Sequence, residues 1–268
     1  MNRIKNIFIS IIYIICIQTI FFFHRKIKLP YCIIIAYHSI PDSETERFKK
    51  QMQILKRLTT PISISYDGPF DSKTRYTIVT FDDAFKNVIR NALPEMTQLK
   101  IPFAIFIPAG CLSANPNWLE NTGDADENET ISSIDELSKL PAELVTYGSH
   151  TVNHPDLILV DYEKACFEIK ESKTILESQL NRGIQYFAFP YGNYNAKITE
   201  YCHEVGYMQV FTVFPESPLS PLGQFVKGRV IVRPSDWRIE FVLKILGGYG
   251  WKACSKSIKK ILLGGNYC

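Results

Sequence analysis

Apolar residues in this chain fall into short unbroken runs separated by longer amphipathic stretches. Cys32-Ile33-Ile34-Ile35-Ala36, Tyr76-Thr77-Ile78-Val79, Pro102 to Ile107, Leu144 to Tyr147, Ile184 to Phe189, Tyr207 to Val213 and Val230-Ile231-Val232 are rich in β-branched and aromatic residues and predict strands. Between them, helical spacing marks Ser43 to Leu58 (Phe48, Met52 and Leu55 on one face), Ala84 to Leu99 bent at Pro94, Ile131 to Leu140, Tyr162 to Leu180, Asn195 to Val205 and Ile239 to Leu246. Strands that are apolar at every position, rather than at every second one, are covered on both faces. Alternation of such strands with helices therefore predicts an α/β fold with parallel strands, either a β/α barrel or a doubly wound sheet.

Two segments stand outside this rhythm. Ile7 to Phe23 is an almost continuous apolar run with Arg3 and Lys5 before it and Arg25, Lys26 and Lys28 after it. That pattern predicts a single-pass membrane anchor, and no small-residue cleavage site follows it. The near balance of basic residues leaves its orientation open. The expected organisation is an anchor over 1–30, a folded body over 31–250 and a basic tail over 251–268. Residues 113–130 turn to Asn, Asp, Glu and Gly around Trp118, the composition of a surface insertion facing a substrate.

Charge narrows the function. The formal net charge is +3, yet the nine basic residues of the two ends leave 21 basic against 27 acidic residues in 31–250. An acidic body excludes a nucleic-acid binder, which needs a clustered basic face. The basic ends suit a membrane surface. Seven cysteines form no close-spaced pair, so neither a thiolate zinc site nor a disulfide framework is implied, and most are expected to be small buried hydrophobes.

Reactive residues gather at the predicted C-terminal ends of the strands: His38, Asp82 and Asp83, His150 with His154, and Tyr191. In parallel α/β folds that end carries the chemistry. Adjacent carboxylates repel unless a cation lies beside them, although either could also begin the helix that follows. Two histidines with three residues between them converge on one ion, and one added carboxylate makes a three-ligand set with room for water. Zinc is the first choice on ligand chemistry, and iron, cobalt or nickel would also be accepted.

Thr80-Phe81-Asp82-Asp83, Ser149-His150-Thr151-Val152-Asn153-His154-Pro155 and Phe187-Ala188-Phe189-Pro190-Tyr191-Gly192 resemble the three motifs of the polysaccharide deacetylases, carbohydrate esterase family 4, with Ala84 where a Gly is usual. Tyr37-His38-Ser39-Ile40 is similar to an opening strand of one branch of that family. The resemblance implies a distorted, incomplete barrel of about seven strands. It also implies a divalent metal, zinc by preference, on Asp83, His150 and His154, with Asp82 as general base and the Tyr191 backbone N–H at the oxyanion. The substrate implied is an acetylated polysaccharide or oligosaccharide of the cell surface, which favours the extracytoplasmic side of the membrane.

One family part has no counterpart: no histidine follows His203, where a late general acid is usual. His38 is the substitute the strand-end pattern offers, while His203 is expected on a solvent face. Arg229 or Arg233 is expected to bind substrate, since arginine cannot donate a proton at neutral pH. Ser149 reads as a backbone cap, and Trp118 and Trp237 as packing residues. The missing histidine keeps two alternatives in view, an O-acetyl esterase and a glycan-binding homologue of low activity.

Overall fold

The computed structural model of the 268-residue chain describes residues 3–23, 31–71, 73–215 and 224–253. Its strands are β1 (Tyr31–Tyr37), β2 (Thr60–Pro61), β3 (Arg75–Phe81), β4 (Phe103–Ile107), β5 (Val145–Ser149), β6 (Tyr186–Ala188), β7 (Gln209–Thr212), β8 (Val226–Gly228) and β9 (Val230–Ile231). All pair in parallel, in the order β8-β7-β6-β5-β4-β3-β1-β9, with the short β2 also on β3. The helices are α1 (Arg3–Phe23), α2 (Thr45–Leu58), α3 (Leu93–Leu99), α4 (Ile134–Ser138), α5 (Tyr162–Leu180), α6 (Ala196–Glu204) and α7 (Arg238–Ile245). Of the two predicted architectures, the barrel is the one adopted.

Burial on both strand faces explains the unbroken apolar runs. Ile33, Ile35 and Tyr37 of β1 pack outward with the helices, while Ile34 packs inward with Ile78, Phe106, Tyr186 and Phe211. Ile62, Ile64 and Phe70, from the stretch between β2 and β3, help fill that interior. The barrel is nearly closed. β8 hydrogen-bonds to β7 and β9 to β1, and one residue, Arg229, separates β8 from β9 at the seam.

Local chemistry sets the helix ends. Asp161 caps α5 and Asn195 caps α6, each accepting a backbone N–H three residues on, and Ser133 with Glu136 forms a capping box on α4. The helix expected over Ala84 to Leu99 is broken differently from a simple bend. Pro94 lacks an N–H, and the turn before it widens to a π-helix over Val88–Ala92.

The expectation of a bilayer-crossing helix over 7–23 requires correction. Among the described residues, no helix is long and apolar enough to cross a membrane. α1 instead lays one side on the body through polar groups of its own. Arg3 pairs with Glu240 at 3.1 Å, the Trp251 indole N–H donates to Ser10 Oγ at 3.0 Å, and Ile7 and Ser10 are buried. Ile4, Phe8, Ile12 and Ile15 remain exposed on α1. The basic tail expected over 251–268 lies outside the described residues from 254 on.

Candidate active site

All six strand-end residues singled out in the sequence line one cleft of about 690 Å³. β1 delivers His38, β3 delivers Asp82 and Asp83, β5 leads into His150 and His154, and the turn after β6 carries Tyr191. The backbone bends sharply to aim them. Asp83, Ala84, Thr151, His154 and Tyr191 all have φ between 53° and 69°, the left-handed region that costs a non-glycine residue about 1–3 kcal/mol. Only a glycine fits after Tyr191, because a Cβ on Gly192 would lie 2.5 Å from Val213 Cγ2.

Polar contacts from neighbouring elements hold these bends. Glu168 of α5 is completely buried, and its carboxylate accepts the N–H groups of Val152 and Asn153 at 2.9 and 2.8 Å and the Asn153 side-chain amide at 2.8 Å. His154 N–H donates to Thr151 Oγ1 at 2.9 Å. The Asn193 amide ties the Tyr191 turn to Asp156 at 2.8 Å. Ser149 is buried against Ser172 at 2.6 Å, away from any relay and in keeping with a structural role.

Asp83, His150 and His154 offer three ligand atoms within 4.8 Å of one another, all from buried side chains. His150 Nδ1 lies 2.7 Å from the Ala188 carbonyl, so its N–H donates there and its Nε2 lone pair faces Asp83 Oδ1 at 3.7 Å. His154 Nε2 is 3.4 Å from the same oxygen, which has no hydrogen-bond partner. Burial pushes His150 down to about 4 and His154 well below the ordinary 6.5, so both imidazoles are neutral at pH 7. Burial, then the charge of Asp82, pushes the Asp83 carboxyl well above its usual range. The three ligand atoms meet around the unpartnered, buried Oδ1 of Asp83, and a cation among them is what lets that carboxyl ionise. The residues fit a divalent metal.

Asp82 has the opposite environment. Burial opposes its ionisation, but the Arg229 guanidinium, aided by His150 and His38, holds the carboxyl down to about 2. Arg229 Nη1 and Nη2 donate to the two Asp82 oxygens at 2.6 and 2.8 Å, Nη1 also reaches Thr80 Oγ1 at 3.1 Å, and the guanidinium carbon lies 5.1 Å from the Phe106 ring centre. Both partners are almost wholly buried. Arg229 is thus a partner of Asp82 from inside the barrel, which corrects the expectation that it binds substrate. The signal for it was present: an arginine next to the buried run Val230-Ile231-Val232 requires a carboxylate within reach.

His38 Nε2 stands 4.0 Å from Asp82 Oδ2, with the His38 side chain 41% exposed to the cleft. Desolvation is the chief influence that lowers its pKa. The loop 113–130 does face the cleft, as its composition predicts. Asp126 accepts from Ser39 Oγ at 2.5 Å, and Trp118 stacks on the His154 ring with centroids 4.1 Å apart and planes at 19°. Trp118 therefore packs, but against a candidate metal ligand. His203 lies exposed on α6, as expected, and Trp237 is half exposed rather than packed.

A nearly closed parallel barrel presents two buried carboxylates and two neutral imidazoles at its strand ends, three of them arranged as a candidate metal site. The polysaccharide deacetylase family model matches residues 71–210, and the chain belongs to that family. No curated protein matches the sequence. Among solved structures, IcaB from Ammonifex degensii is similar at 22% identity and TM-score 0.65, over 81% of this chain and 98% of that one. The Streptococcus pyogenes deacetylase PplD is similar at 20% identity and TM-score 0.64, over 81% and 99%. A de-N-acetylase from Aggregatibacter actinomycetemcomitans is similar at 13% identity and TM-score 0.67, over 80% and 99%. These likenesses establish a shared fold.

Proposed function

We propose that the protein removes acetyl groups from N-acetylated sugars of a surface polysaccharide by metal-assisted hydrolysis. The observation that carries this reading is the division of labour between adjacent carboxylates. Asp83 is aimed at two imidazoles, while Asp82 is turned to Arg229 and His38. Asp83, His150 and His154 would hold the ion, with zinc the first choice. When bound it would polarise the acetamide carbonyl and lower the pKa of water.

The chain's own residues account for the protons. Asp82, kept ionised by Arg229, accepts a proton from the attacking water as its oxygen bonds to the acetyl carbon. The backbone N–H of Tyr191 would steady the carbonyl oxygen as it gains charge. A neutral His38 beside Asp82 takes that proton on and delivers it to the sugar nitrogen as the C–N bond breaks. The products are acetate and a free amine. In this scheme the depressed pKa of His38 is an advantage, because a neutral imidazole can receive the proton from Asp82. His38 thus fills the place of the late histidine.

The test is acetate release from N-acetylglucosamine oligosaccharides by the purified chain, with metal content measured before and after chelation. His150→Ala and His154→Ala are expected to lower metal content and activity together, and Asp82→Asn to abolish activity with metal retained. Full activity after complete chelation would refute the reading. Membrane placement is a further part of it, on the extracytoplasmic side where such a glycan is exposed, supported by the apolar residues that α1 presents to solvent.

A further inference from the structure

A second concavity of about 500 Å³ lies between α2 and the start of α7, walled by Arg47, Lys50, Arg57, Arg238, Trp237 and Pro234 among others. Its four cationic side chains are exposed. The one acid on its wall, Asp236, is buried and already engaged, by Lys244 Nζ at 2.6 Å and by the Arg233 N–H at 3.0 Å. Trp237 is 49% exposed, and the Arg3 guanidinium of α1 lies 5.3 Å from the ring centre. This groove is strongly positive on a body whose residues 31–250 are acidic in sum.

It also adjoins the catalytic cleft. Pro234 lines both, and Arg233 lines the cleft on that side. The start of α2 lies between them as well, because Glu44, just before it, lines the cleft and pairs at 3.7 Å with Arg47, which lines the groove. Gln51 fixes the shared wall by donating to the Arg233 carbonyl at 3.0 Å. We propose that this groove holds acidic substituents, carboxylate, phosphate or sulfate, on sugars next to the one being deacetylated. The substrate class is therefore an anionic N-acetylated glycan. This rests on the deacetylase reading.

Two features favour a glycan over a lipid surface. The cations line a concavity beside the cleft, and an exposed indole among charged side chains is a surface on which a sugar ring can lie. A flat bilayer surface meets a convex face more readily than the floor of a groove.

The experiment compares chitohexaose with its 6-O-sulfated derivative, two ligands with one backbone that differ in charge. Binding to the full chain in neutral detergent is measured by calorimetry, and acetate release is followed in parallel. The sulfated ligand is expected to bind about tenfold tighter at low salt, with the preference collapsing toward parity near 0.5 M salt. Lys50→Glu/Arg238→Glu is expected to erase the preference, read as the ratio of the two Kd values. Equal Kd values in the wild type, with acetate still released, would overturn the proposal and leave the deacetylase reading standing. Absence of acetate release from either ligand, with the preference present, would refute the deacetylase reading instead. Phosphatidylglycerol vesicles form the third arm. Binding to them that Lys50→Glu/Arg238→Glu abolishes, without any preference for the sulfated glycan, would overturn the proposal in favour of a membrane-docking role.

Discussion

Replacing Arg229 by methionine isolates the interaction on which the proposed base depends. In the wild type the Asp82 carboxyl lies at about 2 against an ordinary 3.8, with Arg229 the chief of the groups that oppose burial. At about 1.4 kcal/mol per pKa unit, that depression corresponds to about 2–3 kcal/mol of stability at neutral pH. A depressed folded-state pKa contributes fully above the unfolded value, near 4, and is lost as pH falls toward 2. Removing the guanidinium leaves a buried carboxylate without its ion pair, a change that typically costs about 3–5 kcal/mol. Arg229→Met should therefore lose about that much at pH 7, and the loss should shrink by pH 3. With its chief opponent gone, burial raises the Asp82 pKa above the unfolded value and lets protonation relieve the stranded charge. The paired variant Asp82→Asn/Arg229→Met, which carries no buried charge at this place, should recover most of the deficit. The assay is urea unfolding of the full chain with chelator present, so that metal binding adds nothing. A loss below about 1 kcal/mol for the single variant, or a double variant no more stable than it, would refute the ion pair as the determinant of Asp82 ionisation.

Two further outcomes follow from the site. His38→Gln should reduce kcat on an N-acetylated oligosaccharide by about 100- to 10,000-fold with metal content unchanged, and should slow hydrolysis of an aryl acetate much less, because a phenolate needs no proton to leave. In the wild type the acid limb that depends on His38 should fall below pH 6.5, since its pKa is lowered and the neutral ring is the competent form; an acid limb that Gln leaves unmoved would count against the relay. Glu168→Gln should lower the urea midpoint and weaken metal affinity together, because that carboxylate holds the loop between His150 and His154 by two backbone hydrogen bonds and one to the Asn153 side chain; a variant with wild-type metal affinity would show that the loop holds its own shape.

How far the sequence reached depended on the range of the interaction. The unbroken apolar runs predicted the main parallel strands because burial on both faces leaves its mark in every residue of a strand. β2 and β8 escaped notice: with 2 and 3 residues, they are too short for any periodicity, and their neighbours place them. His38, Asp82, Asp83, His150, His154 and Tyr191 were legible because each ends a predicted strand, and such ends converge in this architecture. The groups that hold those residues were not. Glu168 sits 14 residues beyond His154 on a helix whose acidic residues look like an ordinary solvent face, and nothing local marks it as buried. Arg229 is 147 residues from Asp82, so its role is a property of barrel closure. The 7–23 run misled for a related reason: local hydropathy registers apolar side chains but not the Glu240 and Trp251 that take up Arg3 and Ser10.

Closure of the barrel and ionisation of the base are one problem in this fold. The chain from Val226 to Ile231 pairs first with β7 and then with β1, so it must cross the seam between the two edges at Arg229. A side chain entering there meets Phe106, Thr80, Thr212 and the buried Asp82. An aliphatic residue would fill that space but strand the carboxylate. A lysine would bring charge without the two parallel bonds that fix both oxygens of Asp82. The planar guanidinium does both, stacking on the phenyl ring while its fork fixes the carboxylate plane. That plane in turn decides which lone pairs of Asp82 face His38 and the cleft. The gap in the barrel is therefore the place from which the catalytic carboxylate is held, and a change at either residue should be tolerated only when the other changes with it.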